Sequence, residues 1–535
     1  MSATTATAPA TTKGETLKKT DRDGDVRLSN IKAATSIASV MRTSLGPKGM
    51  DKLLETGKGE ILITNDGATI LKNLSVLHPT ANLLIQTSKA QDVEAGDGTT
   101  SVVVLAGALL AKAEQLLSQG IHPTQISDGF AVALQKALNI VTKCSKQVSV
   151  EDEQSLLECV KTSLASKIIN QNASEIAPMA VDAVKRVANK SVTGSVDLKD
   201  IRLIKKLGGT IDDTILFDGL VLGDRRPIQS AGGPTKIVDP KIALIQFSLA
   251  SPKTDIENNI AVSDYSQIDR ILKEERKHVL ELVKKIAASG ANVVLIQKSI
   301  VRDSVNDIAL HFLAKKKILA VKDIERTDVE FICKTVGCIP VAHIDQLTVD
   351  KLGSGKVAQE TELVDGSRVF TISVNQCPTA TILIRGSSEL VLSEAERSIH
   401  DALCVVNCIF KNPGIVPGGG ATEIEILRQL EEHSHENQSG VLSIIIRAFA
   451  EAMEIIPATL AENCGVNAIR TVTELRTKHR AGLKLSGISG KKGVIVDDMI
   501  EGKVVQPALV TISALKLATE VTRMILKIDD ILQSR

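Results

Sequence analysis

Gly96-Asp97-Gly98-Thr99-Thr100-Ser101 runs straight into Val102-Val103-Val104-Leu105-Ala106. The apolar run predicts a buried helix, and the six residues before it predict that helix's N-terminus. Glycines let backbone N–H groups approach a guest, and three hydroxyls follow. Orphan N–H donors and the positive end of the helix dipole favour a phosphate there. Asp97 would repel a bare phosphate, which points to a bridging Mg²⁺ held by one or two carboxylates plus phosphate oxygens. The run lacks the Gly-Lys-Ser/Thr ending of a Walker A loop. The plainer alternative is a solvated loop capped by Asp97 or Thr99.

Outward from this stretch the pattern stays helical. Residues 78–93 and 97–118 read as helices, and His122-Pro123 opens another that runs to about 143. Upstream, Ile31, Ala34, Ile37, Ala38, Met41 and Leu45 recur at helical spacing, predicting a helix over 30–45 with Asn30 as N-cap. Gly46-Pro47 ends it, and Lys48-Gly49 adds a cation beside a glycine turn. Glu60 to Thr64 reads as a short strand. Asn65-Asp66-Gly67 after it is either a hairpin turn or a strand-to-helix turn.

The composition shifts after about residue 150. Residues 151–190 remain helical, and β-rich pieces follow at 201–204, 215–217 and 242–247. A charged helix over 263–288, a buried strand at 293–297, a helix over 303–316 and a strand at 318–321 form an α/β unit with a parallel sheet. Helices return after 391. The order predicts an α/β domain inserted into a helical domain made from both chain ends.

The 535 residues suit about three domains. Hydrophobic residues make up 43% and charged residues 24%, but aromatics only 2%, so the cores are aliphatic and stacking platforms for single-stranded nucleic acid are missing. A net charge of +1 argues against a polyanionic partner. Eight cysteines lie scattered without a Cys-x-x-Cys pair. Cys404 and Cys408, four apart on a helix, read as buried thiols rather than metal ligands, and the pattern fits a reducing compartment. No apolar run reads as long enough to span a bilayer. Residues 1–22, rich in Ala and Thr, read as a disordered tail rather than a signal or transit peptide.

Four motifs taken in order make a pattern. Thr43-Ser44-Leu45-Gly46-Pro47-Lys48-Gly49-Met50-Asp51-Lys52, Thr64-Asn65-Asp66-Gly67-Ala68-Thr69, the Gly96–Ser101 run and Gly418-Gly419-Gly420 resemble the ATP-site motifs of the chaperonins. The first and third look like the group II branch, found in archaea and the eukaryotic cytosol. The stretch Asn292 to Arg326 looks most like the delta-subunit branch of the eukaryotic cytosolic chaperonin, TRiC/CCT.

The resemblance implies a multidomain α/β fold. A helical equatorial ATP-binding domain (23–149 and 405–535) would come from both chain ends, with a small intermediate domain (150–219 and 371–404). The inserted α/β apical domain (220–370) would carry 263–288 as a helical lid protrusion. It further implies a cytosolic double ring of eight-membered rings, with seven paralogous subunits as partners. ATP and Mg²⁺ would be the cofactors and unfolded polypeptides the clients, actin and tubulin among those of the family.

The resemblance also assigns residues. Leu45, Gly46, Pro47, Gly98, Thr99, Thr100 and Ser101 would wall the phosphates, with Asp97 as the Mg²⁺ ligand. Asp401, in Ser398-Ile399-His400-Asp401, would orient and deprotonate the attacking water, with Asp66 near that water. Without the family, Asp401 reads as a surface helix residue and Asp66 as a turn residue. Lys167 would read the γ-phosphate; its alternative is a solvated lysine. Gly418, Gly419 and Gly420 would admit the sugar and base. Before Pro507, where many members carry an acid toward the ribose, this chain has Gln506. Arg302, Asp303, Asp307, His311 and Lys315 would form a polar client-binding face, the alternative being a solvated one; His311 reads as a surface or packing histidine, not a metal ligand. The competing classes are a soluble metabolic kinase with the same phosphate cradle, and a structural ring member that binds nucleotide weakly. The presence of Asp66, Asp97 and Asp401 together weighs against the last.

Overall fold

In the computed structural model the run after Gly98 is the helix Thr99–Ser118. The structure describes residues 22–531 except 56–58, 60, 75, 77, 150, 189–195, 224, 226, 228–231, 251–264, 300–302, 364, 376, 437–439 and 492. Thr99–Ser118 is 20 residues long with a hydropathy of 1.4, so its length and apolarity do reach those of a membrane span, against the expectation from the sequence. Its position explains the composition: Val102, Val103, Ala106, Leu110 and Ala113 are buried in the largest aliphatic core. Gly107 lets the helix Arg22–Arg42 lie close, since an added Cβ would stand 2.3 Å from Ala38 Cβ.

That helix starts eight residues before the predicted one and includes Arg22, the last residue assigned to the tail. Residues 1–21 lie outside the described residues. Asn30 is therefore not a cap. It is buried inside the helix, where its Oδ1 accepts from Thr80 Oγ1 at 2.9 Å. The helix ends at Arg42, and Gly46, at φ +87°, turns the chain after it. The strand Ile61–Thr64 pairs antiparallel with Lys52–Glu55, a strand the sequence reading missed. Asn65-Asp66-Gly67 is the strand-to-helix alternative, with Asp66 as N-cap of Gly67–Asn73.

Four larger cores divide the chain. The first draws on residues 31–141 and again on 416–526. The second joins residues 148–201 to 380–415 and Val505. The third and fourth lie within 220–372. Within that stretch Lys241–Ile245, Val293–Gln297 and Leu319–Ile324 pair in parallel, as the α/β reading required. Branched apolar residues on both faces fit a sheet covered on both sides. Tyr265–Ala288 and Asp307–Lys315 pack with these strands through Val279, Val283, Ala309 and Leu313. The latter helix starts four residues later than predicted because Asn306 caps it. An antiparallel sheet of Gly219–Leu222, Arg368–Ser373, Val357–Glu362 and Lys236–Val238 adjoins.

Candidate functional site

Asp401, Lys167, Asp66 and Asp97 come from four separate segments and form one electrostatic neighbourhood. Asp401 projects from the helix Glu389–Lys411, whose apolar residues bury it in the second core. It is 7% exposed, not the surface residue its bare sequence suggested. Lys167 Nζ stands 2.6 Å from Asp401 Oδ2, so the lysine is neither solvated nor free: it is paired with the carboxylate.

Asp66 is tied to the phosphate loop. Its oxygens accept from Ala68 N, Thr69 N and Thr69 Oγ1, and Thr99 Oγ1 donates to Oδ1 at 3.2 Å. Next to it, Asn65 Nδ2 donates to Ser166 O at 3.0 Å and so fixes the approach of Lys167. Asp97 Oδ1 accepts from Gly98 N at 2.7 Å, and Gln91 Nε2 holds the Asp97 carbonyl at 2.9 Å. Gly98 sits at φ +76°, where glycine is unstrained. No side chain caps Thr99–Ser118 among the described residues, which leaves its first N–H groups turned to this site. Gly96, at φ +67°, packs on the helix Glu389–Lys411: an added Cβ would meet Cys404 Cβ at 2.2 Å. One turn on, Cys408 Sγ donates to Ala95 O. Both thiols are buried and free, and among the described residues no His, Cys, Asp and Glu group is set to hold a metal by itself.

The remaining walls converge by backbone. Asn463 Nδ2 donates to Leu45 O at 2.7 Å and to Arg42 O at 3.0 Å, fixing the Leu45-Gly46-Pro47 turn. Gly490 lies against Pro47, whose Cγ would be 2.1 Å from an added Cβ. Gly418 N donates to Val504 O, and Gly419 O accepts from Ile488 N. Gly419 and Gly420 hold φ of +67° and +80°. Gln506 lies opposite Val416 in the adjoining antiparallel strands, and its Nε2 donates to Thr511 Oγ1 at 2.8 Å. Asn463 and Gly490 were missed because each acts on a loop distant in sequence, and Gln91, six residues before Asp97, because nothing in a helical run marks which polar side chain turns back to the next loop.

The proposed client face lies elsewhere. Asp307, His311 and Lys315, four apart, form one exposed stripe on the helix Asp307–Lys315, and Asp303 is exposed just before it. Arg302 lies outside the described residues. A cavity of about 830 Å³ is lined by none of Asp66, Asp97, Lys167 and Asp401; its walls include Lys143, Pro417, Thr422, Glu425, Arg428 and Lys484.

Burial sets the electrostatics. It pushes the Asp401 carboxyl up to about 8; Lys167 opposes the rise, and Asp66 and Asp97 add to it. For Lys167 burial alone would lower the ammonium, but Asp401 and Asp66 outweigh it and raise it. For Asp66 burial would also raise the carboxyl, yet Lys167 and the Thr69 and Ala68 hydrogen bonds hold it below the usual range. Three carboxylates thus share one ammonium beside an uncapped helix start. Such a site can take an anion at the N–H groups, a cation among the carboxylates, and a proton at Asp401.

The TCP-1/cpn60 chaperonin family matches residues 37–535. T-complex protein 1 subunit delta of Rattus norvegicus is 54% identical over 517 residues, covering 96% of this chain and 95% of that protein. The subunit delta of Schizosaccharomyces pombe is 55% identical over 521 residues, covering 96% and 97%. That of Arabidopsis thaliana is 50% identical over 536 residues, covering 100% and 99%. With delta subunits at this identity over nearly its whole length, the chain belongs to the TCP-1/cpn60 chaperonin family.

Proposed function

We propose that this chaperonin subunit hydrolyses ATP and uses the cycle to close a built-in lid over a folding chamber. The observation that carries this reading is the buried Asp401–Lys167 pair beside the uncapped start of Thr99–Ser118. The backbone N–H groups of that helix start would bind the phosphates, and the Leu45–Pro47 and Gly418–Gly420 turns would flank the sugar and base. The residues fit Mg²⁺ as a phosphate-held ion: Asp97 is a lone protein ligand, and the carboxylates outnumber the ammonium. When bound, Mg²⁺ would neutralise charge developing on the phosphoryl oxygens. Asp401 takes the proton of the attacking water at Oδ1, the oxygen that Lys167 leaves unpaired, while the Lys167 ammonium, shared between Oδ2 and the γ-phosphate, favours the ionised carboxylate. Asp66, kept ionised, orients the same water.

The apportioning of the cores supports an equatorial domain (23–149, 405–535), an intermediate domain (150–219, 371–404) and an apical domain (220–370), with Tyr265–Ala288 within the lid protrusion. Seven paralogous subunits in a cytosolic double ring would be the partners, and unfolded polypeptides, meeting the Asp303–Lys315 face, the clients. The test is the native mass and composition of what co-purifies with the tagged chain, with hydrolysis resolved by subunit. A complex near sixteen chain masses with related partners supports the reading. A monomer that phosphorylates a metabolite overturns it.

A further inference from the structure

His479 is fully buried and lies between two acceptors. Its Nδ1 faces Glu425 Oε2 at 3.1 Å, and its Nε2 faces Ser486 O at 2.9 Å. Glu425 is itself buried and is held by Arg428, which donates to both of its oxygens, and by Gln429 Nε2 at 2.7 Å. A carboxylate with that many donors stays ionised; the His479, Arg428 and Gln429 hydrogen bonds overcome burial and bring it down to about 2. It can only accept, and a carbonyl can only accept. The ring of His479 therefore faces an acceptor on each side, Glu425 at Nδ1 and Ser486 at Nε2.

The other end of this chain of bonds is a wall of the nucleotide site. Ser486 leads directly into the strand Gly487–Ser489. Ile488 N donates to Gly419 O at 2.9 Å, and an added Cβ at Gly487 would stand 2.9 Å from Gly418 O. Glu425 stands on the helix Ala421–Glu436, which begins at the residue after Gly420. The glycine turn and the strand facing it are thus fastened to each other twice: through the Ile488–Gly419 bond, and behind it through Glu425, His479 and Ser486.

We propose that His479 is a positioning residue for nucleotide binding: bridging Glu425 and Ser486, it clamps the Gly487–Ser489 strand to the helix that follows Gly418–Gly420. The proposal rests on the ATP reading of the site. It assigns no chemistry to the imidazole, whose partners are Glu425 and Ser486 rather than Asp66, Asp97 or Asp401.

The test compares the wild-type assembly with the same assembly carrying His479→Gln, an amide of similar reach that cannot bridge in both directions from a ring. The readouts are ATP turnover at this subunit and amide hydrogen exchange without nucleotide. The expected result is a KM for ATP raised by about tenfold with kcat within about twofold, the pattern of lost uniform binding. Exchange should quicken in residues 482–490 and 416–422 and nowhere else. Unchanged exchange in those segments, exchange quickened throughout the chain, or a fall in kcat at constant KM would each overturn the proposal. Glu425→Gln keeps the side-chain volume and removes the carboxylate charge beside the ring. It should loosen the same two segments, and wild-type behaviour of that variant would also overturn the proposal. If the wild-type assembly shows no ATP turnover, the ATP reading fails, while the exchange comparison still decides whether His479 holds the strand.

Discussion

Asp401 is a carboxylate held where burial works against its charge and a lysine works for it. Replacing it by Asn keeps the shape and removes the base. Asp401→Asn should leave ATP binding intact and slow hydrolysis at this subunit by about a hundredfold or more, the range of general-base loss. A subunit-resolved single-turnover assay checks it. The pH dependence follows from the raised carboxyl. Its folded value of about 8 lies above the unfolded value of about 3.9, so its contribution to stability is complete below the latter and is lost as pH rises toward the former. Nucleotide-free thermal midpoints should therefore fall as pH rises from roughly 4 to 8 and level off above that. Glu394 and Glu423 are raised by burial too and share the sign. The slope difference between wild type and Asp401→Asn is the informative quantity, and the variant should be flatter.

At the scale of elements, the helix Glu389–Lys411 and the phosphate loop are fitted to each other with no room for a methyl group. Gly96 is at once left-handed and in contact with Cys404. Gly96→Ala should cost about 2–4 kcal/mol, from overpacking and from a non-glycine residue at positive φ, read by denaturant unfolding. ATP affinity should fall with it, because the displaced loop carries Asp97 and Gly98. Asp66 joins two elements in another way, capping Gly67–Asn73 while accepting from Thr99. Asp66→Ala should lower stability by about 1 kcal/mol through the lost cap, before any effect on hydrolysis.

Across the whole molecule, the second and third cores meet at a polar seam. Arg202 pairs with Asp328 at 2.7 Å and lies over the Phe331 ring, and Lys334 pairs with Asp200 at 2.9 Å. These bonds tie the strand Ile201–Leu207 to the helix Arg326–Val336. A double-mutant cycle on Arg202→Ala and Asp328→Ala should give a coupling on the order of 1 kcal/mol, since both side chains are partly buried. Limited proteolysis should cut the Arg202→Ala protein faster between these cores, with ATP binding unchanged.

Much of this was legible in sequence because it is local. Helix periodicity gave Thr99–Ser118 and Pro123–Cys144 within two residues, and branched apolar runs gave the parallel strands. The glycine-and-hydroxyl run marked the start of Thr99–Ser118, since few residue types tolerate Gly98's backbone and leave a helix start open. Caps were less legible: Asn30 has a capping side chain, but burial against Thr80 recruited it inside a helix. The Asp401–Lys167 pair, the hold of Asn463 on Leu45 and the His479 clamp join residues far apart in the chain. No spacing rule encodes them, because burial and pairing arise only when the cores close. The sequence by itself determined the family and most of the elements, though not the strand Lys52–Glu55 or the start of the first helix. The tertiary structure alone decided which charges are buried together, and with that which carboxyl is raised and which lysine is paired.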